Sequence, residues 1–263
     1  PMTSRRPRQC FSTNAASISR RGSMSITFEN VYKAFGSKKI LDGISFTVEK
    51  GEIMFILGKS GMGKSVTLKN IVGLLKPDRG TVLVDNMCIN ELGERGLEQA
   101  RKICGMVFQH PALLDSLTVY QNVAFGLRGI PDHQVRARVQ ECLRLVHLDE
   151  SIFNRKPPEI SYGMQKRVSL ARTLAPGPRY LLFDEPTTGL DPITTNAVNE
   201  LIFELSRKLS VTSLVVSHDM GCAMRIADRI LVLDQGKILQ LGTVSEIKAS
   251  PHELIRDFLM EAI

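Results

Sequence analysis

Gly58-Lys59-Ser60-Gly61-Met62-Gly63-Lys64-Ser65 is the stretch that decides the fold of this chain. It fits G-x-x-x-x-G-K-[ST], a loop built to cradle phosphate. The apolar run Ile53-Met54-Phe55-Ile56-Leu57 before it reads as a buried strand, and Val66–Leu75 after it reads as a helix. Strand, glycine loop and helix are the context in which this motif works. Glycines let backbone N–H groups curl round phosphate oxygens, and the helix N-terminus adds partial positive charge. Gly58, Ser60, Gly61, Gly63 and Val66 belong to the cradle. Lys64 would reach the β/γ-phosphates of a nucleotide, and the Ser65 hydroxyl would ligate Mg²⁺. A ligand-free glycine turn is the plainer alternative, and the matching flanks weigh against it.

The 263 residues suffice for one large α/β domain, or a domain plus a lobe, and 43% hydrophobic composition supplies a full core. No run of about 18 apolar residues occurs, so any membrane role comes through a partner. The net charge of +7 is unevenly placed. Residues 1–23 hold Arg5, Arg6, Arg8, Arg20 and Arg21 and no acid, which leaves the rest at +2. A nearly neutral body argues against a broad nucleic-acid-binding face, so no nucleic-acid partner is expected. The basic head, 1–23, reads as disordered. A transit peptide or a leader would both look like this, since Met24-Ser25-Ile26-Thr27-Phe28 reads as a fresh start into a strand. The five cysteines show no C-x-x-C spacing and read as buried or incidental thiols in a reducing compartment.

Strands are expected at Ile26–Val31, Ile44–Val48, Ile53–Leu57, Thr81–Val84 and Ile103–Phe108. From about His110 to Ile160 the pattern is helical, broken by Pro111, Pro131, Pro157 and Pro158. Val135, Val139, Leu143 and Val146 fall on one helical face. Further on come strands at Arg179–Phe183 and Leu214–Ser217, and a helix with Val198, Leu201, Ile202 and Leu205 on one face. A hairpin of Ile230–Leu233 and Lys237–Gln240 turns at Gln235-Gly236. Pro251–Ile263 reads as a one-faced helix that either packs on the core or clasps a second subunit.

Tyr180-Leu181-Leu182-Phe183-Asp184-Glu185 is an apolar strand ending in two acids. An acid at the C-terminal end of a strand, beside a phosphate loop, can hold Mg²⁺ through water, a role that falls to Asp184. Glu185 can polarise the attacking water, because phosphoryl transfer to water needs little beyond positioning, charge neutralisation and a water-orienting group. Ile160-Ser161-Tyr162-Gly163-Met164-Gln165-Lys166-Arg167 leads into a helix, and a Ser and Gly at a helix start form another anion site.

With these residues in this order, the chain resembles the ATPase subunits of ABC transporters over about residues 26–245. Seven motifs carry the resemblance. Phe35 stands where the family stacks an aromatic on adenine. Gly58–Ser65 resembles the Walker A loop. Gln109, after Val107-Phe108, resembles the glutamine that touches Mg²⁺ and the attacking water and senses the permease. Ser161–Gln165 is similar to the signature motif, Asp184 and Glu185 to Walker B and its catalytic acid, and Thr188-Gly189-Leu190-Asp191 to the D-loop. His218, in Val216-Ser217-His218-Asp219, is similar to the switch histidine that contacts the γ-phosphate. One departure stands out: where the family usually reads Leu-Ser-Gly-Gly-Gln, Tyr162 replaces the first Gly and Met164 the Gln.

The resemblance implies an α/β fold of P-loop NTPase type, with a RecA-like core, an antiparallel β-subdomain and an inserted α-helical subdomain at about 110–175. It implies domain bounds of 24–245, with 246–263 as a C-terminal helix. It implies ATP and Mg²⁺ as cofactors and ATP hydrolysis coupled to transport. Catalytic roles would fall to Glu185, His218 and Gln109, metal ligation to Ser65, Gln109 and Asp184, and further nucleotide contacts to Phe35, Ser161, Gly163 and Asp191. It also implies a head-to-tail homodimer across the ATP sites, integral membrane permease partners, and a place at the cytoplasmic face of the inner membrane.

Below the superfamily, Phe108–Phe125 and Gly163–Val168 resemble the matching segments of Mla-type phospholipid transporter ATPases. Lipid cargo and a lipid-binding MCE-type partner follow as expectations. A polar amino-acid importer is the alternative, because such importers share much of the segment. A soluble ABC ATPase would usually carry two cassettes or long coiled-coil insertions, and a GTPase would need Asn-Lys-x-Asp, which the sequence lacks.

Overall fold

The computed structural model describes residues 24–127 and 129–261, so the expectation for the basic head at 1–23 lies outside the described residues. The strands are β1 (Ile26–Phe35), β2 (Lys38–Val48), β3 (Ile53–Leu57), β4 (Arg79–Val84), β5 (Met87–Cys88), β6 (Cys104–Val107), β7 (Tyr180–Asp184), β8 (Thr212–Ser217), β9 (Arg229–Asp234) and β10 (Lys237–Thr243). The helices are α1 (Lys64–Ile71), α2 (Glu94–Ile103), α3 (Val119–Ala124), α4 (Asp132–Leu145), α5 (Tyr162–Leu174), α6 (Pro192–Lys208), α7 (Met220–Ile226), α8 (Val244–Lys248) and α9 (Glu253–Glu261).

Two sheets divide the strands. An antiparallel sheet runs β2-β1-β4-β5, and a second runs β10-β9-β3-β8-β7-β6. In the second, β3, β8, β7, β6 and β9 pair parallel and only β10 is antiparallel. Every residue of β3, β7 and β8 is buried, as expected of parallel strands covered on both faces. The pleat deals their side chains to two cores. Met54, Ile56, Leu182, Leu214 and Val216 pack toward the antiparallel sheet with Ile26, Phe28 and Val82. Ile53, Phe55, Leu57, Phe183 and Val215 face the opposite core, which also takes in α3 to α7.

The first two strands run longer than the sequence suggests. β1 continues to Phe35 and β2 begins at Lys38, because the hairpin register Phe35↔Lys38 is set by the Gly36 turn while its polar residues face solvent. The helix α2, with Leu97 and Ala100 buried, was not foreseen. The stretch 246–263 is two helices, α8 ending at Lys248 and α9 starting at Glu253, since Ser250-Pro251 interrupts it. A boundary at 245 therefore falls inside α8. The terminal helix packs on the body: Ile255 is fully buried, and Leu254, Phe258 and Leu259 pack on the core. Among the described residues, Cys104, Cys142 and Cys222 are buried thiols outside any disulfide, and Cys88 is half-buried. Burial pushes the Cys104 and Cys222 thiols up to about 12.

Candidate functional site

Strand register gathers the polar motifs. Leu57 pairs with Ser217, Asp184 with Val216, and Val107 with Phe183. The residues just past these ends are the Gly58–Ser65 loop, Glu185, His218 and Gln109. All lie along one edge of the parallel sheet, at the C-terminal ends of adjacent strands, where α/β sheets bind ligands.

The loop is shaped by its glycines. Gly61 and Gly63 have φ of 81° and 99°, in the left-handed region. A Cβ at Gly63 would also stand 2.7 Å from the Ile40 carbonyl of β2, so the antiparallel sheet presses the loop from one side. Gly63 opens α1, and Thr67 N–H donates to its carbonyl at 3.0 Å. The Lys64 ammonium is buried in the mouth of the loop, donating to the carbonyls of Gly58 at 2.6 Å and Lys59 at 3.2 Å. The Ser65 hydroxyl donates to Asp184 Oδ1 at 2.7 Å.

Asp184 is buried, and burial raises its carboxyl above the usual range, with the Ser65 hydrogen bond opposing. Glu185 adopts φ 48°, a left-handed backbone that costs a non-glycine residue about 1–3 kcal/mol. Its N–H donates to the Val216 carbonyl at 2.9 Å, and its carbonyl accepts from Thr188 N–H at 3.2 Å, so the turn is held on both sides. The result aims its carboxylate between two cations or donors: Oε1 is 3.2 Å from Lys64 Nζ and Oε2 is 2.7 Å from His218 Nδ1.

A hydroxyl, a carboxylate and a cradle of left-handed glycines ending in a buried ammonium are the donor set that Mg²⁺ with a nucleoside triphosphate requires. The residues fit that group. Among the described residues no cluster of three or more His, Cys, Asp or Glu could hold a metal alone, which suits a cation that keeps waters and phosphate oxygens as ligands.

The other candidates lie around this cluster. Phe35 is at the tip of the β1–β2 hairpin, half exposed, with Lys33 Nζ 5.6 Å from its ring centre. Asp78 braces that tip by accepting from Lys33 and from Ala34 N–H. Gln109 is exposed, and its backbone carbonyl accepts from Lys166. Ser161 caps α5, its hydroxyl accepting from Met164 N–H at 3.3 Å. Ser161, Gly163 and Asp191 line a cavity of about 460 Å³ on the α5–α6 side. Asp191 is the N-cap of α6, accepting from the Thr194 hydroxyl at 2.6 Å and from the N–H groups of Thr194 and Ile193, and these bonds, the hydroxyl first, hold its carboxyl below the usual range.

Three side chains of α5 were not foreseen: Lys166, Arg172 and the role of Tyr162 are taken up below. Asn122 was missed too. Fully buried, it staples the loop before α3 by accepting from Leu114 N–H and donating to the carbonyls of Leu114, Leu117 and Thr118. An Asn between the apolar Val119 and Val123 positions of a short helix was the only signal. The apolar group Leu113, Leu114, Leu117, Val119 and Phe125 divides: Val119 is fully buried, Leu113 and Leu117 are half-buried, and Leu114 and Phe125 are exposed.

Residues 41–188 match the family model described as "ABC transporter". The chain is 40% identical over 238 residues to the "Methionine import ATP-binding protein MetN" of Carboxydothermus hydrogenoformans, covering 89% of this chain and 70% of that protein. It is 38% identical over 240 residues to the "Fe(3+) ions import ATP-binding protein FbpC" of Vibrio cholerae, covering 90% of this chain and 67% of that protein. Among solved structures it is similar to the ATP-binding cassette MJ0796, a dimer in a post-hydrolysis state bound to ADP and Pi, with a TM-score of 0.76 and 34% identity over 83% of this chain and 98% of that one. These relatives support an ABC transporter ATPase but not the expectation of phospholipid cargo or of an MCE-type partner. The segment that suggested lipid is short, and Val119, Asn122 and Val123 within it are buried in the lobe.

Proposed function

From the premise that this chain belongs to the ABC transporter family, we propose that it powers an amino-acid importer, with methionine, an apolar rather than a polar amino acid, the first candidate. The chain binds ATP with Mg²⁺ and hydrolyses it, and it belongs at the cytoplasmic side of the inner membrane as a peripheral subunit beside membrane permeases. Among the described residues no helix is long and apolar enough to cross a membrane. The amino-acid reading rests on the relatives named for methionine import, of which the chain spans about 70%.

The observation that carries the catalytic assignment is the meeting of Lys64, Ser65, Asp184, Glu185 and His218 at one sheet edge. In this reading Lys64 neutralises β/γ-phosphate charge, while Ser65 and Asp184 hold Mg²⁺, which supplies electrostatic stabilisation of the transferred group when bound. Glu185 orients and polarises the attacking water, and His218 holds that carboxylate from the solvent side. Gln109 sits where water, metal and lobe meet. Phe35 stacks on adenine. Ser161 and Gly163 face the nucleotide of a second copy, and Asp191 fixes the helix beside them.

Two measurements test this. Lys64→Ala should weaken ATP binding and abolish hydrolysis, and a variant that keeps both would refute the site. The permease that co-purifies with the chain, reconstituted in vesicles, should show ATP-dependent methionine uptake. Uptake of ferric iron instead would place the chain with the second named relative.

A further inference from the structure

One helix, α5, holds the segment that follows β6 almost residue by residue. Lys166 Nζ donates to the Gln109 carbonyl at 2.9 Å. The Tyr162 hydroxyl stands 3.3 Å from His110 Nδ1. The Arg172 guanidinium donates to the carbonyls of Ala112 at 2.7 Å and Pro111 at 3.3 Å. The grip on Ala112 secures a left-handed residue, φ 50°. Lys166 does more: the same ammonium donates to Pro186 at 2.7 Å and Thr188 at 3.1 Å, in the turn just after Glu185. The Tyr162 ring lies 5.5 Å from Lys166 Nζ, one helical turn away on the same face, and a Cβ built on Gly189 would be in contact with it.

Lys166 is an unusual choice for a structural staple. It is 7% exposed and its three acceptors are neutral carbonyls, so its charge is held without a carboxylate. Burying an unpaired charge is costly unless every hydrogen bond is made. An apolar side chain would hold the helix at lower cost. What only a central three-way donor can do is tie three separate segments to one point: α5 itself, the Gln109 segment and the Pro186–Thr188 turn. A substitution that ruined only packing would be felt in stability; a substitution that freed these segments from each other would be felt in turnover.

Resting on the ATPase reading above, we propose that Lys166, supported by Tyr162, is a positioning residue that yokes the Ser161 helix start to Gln109 and to the turn carrying Glu185. The helix that completes a second copy's nucleotide site is thereby rigidly joined to the parts that surround this copy's own. A shift of the Gln109 segment or of the Glu185 turn must move Ser161 with it, because Lys166 bonds to both. The departure at residue 162 belongs to the same device: the tyrosine ring lies beside Lys166 with its hydroxyl toward His110, while Tyr162 and Gly163 both line the cavity.

The test compares Lys166→Met, Lys166→Arg and Tyr162→Phe with wild type in the full chain, measuring kcat, KM for ATP and Tm. Lys166→Met should lower kcat by about 10- to 100-fold, the scale of a small misplacement of catalytic groups. KM should stay within about twofold, and Tm should shift by only a few degrees, since relief of a buried charge offsets the carbonyls of residues 109, 186 and 188 left without their donor. Lys166→Arg, which keeps the cation and its donors, should restore most of kcat. Tyr162→Phe should lower kcat by about twofold to tenfold, the worth of one hydrogen bond. A folded Lys166→Met with wild-type kcat overturns the proposal, as does a parallel fall of Tm, ATP affinity and kcat. If Lys166→Met does not fold, wild-type kcat in Tyr162→Phe overturns it. Failure of the ATPase reading itself would appear separately, as hydrolysis surviving in Lys64→Ala.

Discussion

Glu185 and His218 meet at 2.7 Å, carboxylate oxygen to Nδ1, while the other oxygen of Glu185 lies 3.2 Å from Lys64. The acid is therefore aimed by two partners from two different strand ends, and its left-handed backbone leaves it no slack. Glu185→Gln keeps the shape and removes the base. Turnover should fall by about two to four decades, with ATP affinity retained. Turnover by phosphate release and affinity by equilibrium titration decide it, and hydrolysis near wild type would reject Glu185 as the water-orienting group.

Asp184 carries a stability cost along with its role. Burial raises its pKa above the ordinary 3.8, so the folded protein binds this proton more tightly than the unfolded chain does. Stability contributed by the neutral form is present at low pH and is lost as pH rises through the raised value. At neutral pH the ionised, buried carboxylate is then destabilising. Asp184→Asn should raise Tm at pH 7, with the gain shrinking as pH approaches 4, while Mg²⁺-dependent hydrolysis is lost. A Tm difference that does not change with pH would show that titration of Asp184 is not its origin.

Gly63→Ala should harm both fold and site. It combines φ 99° with a Cβ 2.7 Å from the Ile40 carbonyl, which is backbone and cannot swing aside. Strain of about 1–3 kcal/mol corresponds to a Tm loss of roughly 2–12 °C for a chain of this size. ATP affinity should fall as well, since Lys64 follows directly. Calorimetry and nucleotide titration on the same sample check both.

The cavity beside Ser161, Gly163 and Asp191 does not include Lys64, and in the proposed reading a second copy brings it to a nucleotide. Glu185→Gln with ATP and Mg²⁺ should accumulate a dimer in light scattering at high protein concentration. The same variant carrying Lys64→Ala should remain monomeric. A monomer in the first case, with ATP shown to be bound, would argue against this assembly.

The sequence alone determined the chemistry-bearing loop, the two acids and the order of the motifs, because each is local. A glycine loop needs contiguous residues, Asp184-Glu185 ends a contiguous apolar strand, and the β9–β10 hairpin turns on adjacent Gln235-Gly236. Fully buried strands such as β3 and β7 were legible for the same reason: an unbroken apolar run has few other uses. Half-exposed elements were less so. β1 and β2 were read short because half of their side chains face water, and α2 was missed because only two of its residues are buried.

Tertiary structure decided everything that depends on partners distant in the chain. Ser65 and Asp184 are 119 positions apart, and Glu185 and His218 are 33 apart, yet each pair is hydrogen-bonded, the first between elements at the ends of β3 and β7 on either side of β8, the second at the ends of the adjacent β7 and β8. Lys166 is the clearest case: in sequence it is one cation on a helix, and only the fold surrounds it with carbonyls from residues 109, 186 and 188. The sequence specifies which groups a helix or loop can present, while the sheet order and register specify which of them meet, because those are set by long-range burial that no short window of residues contains.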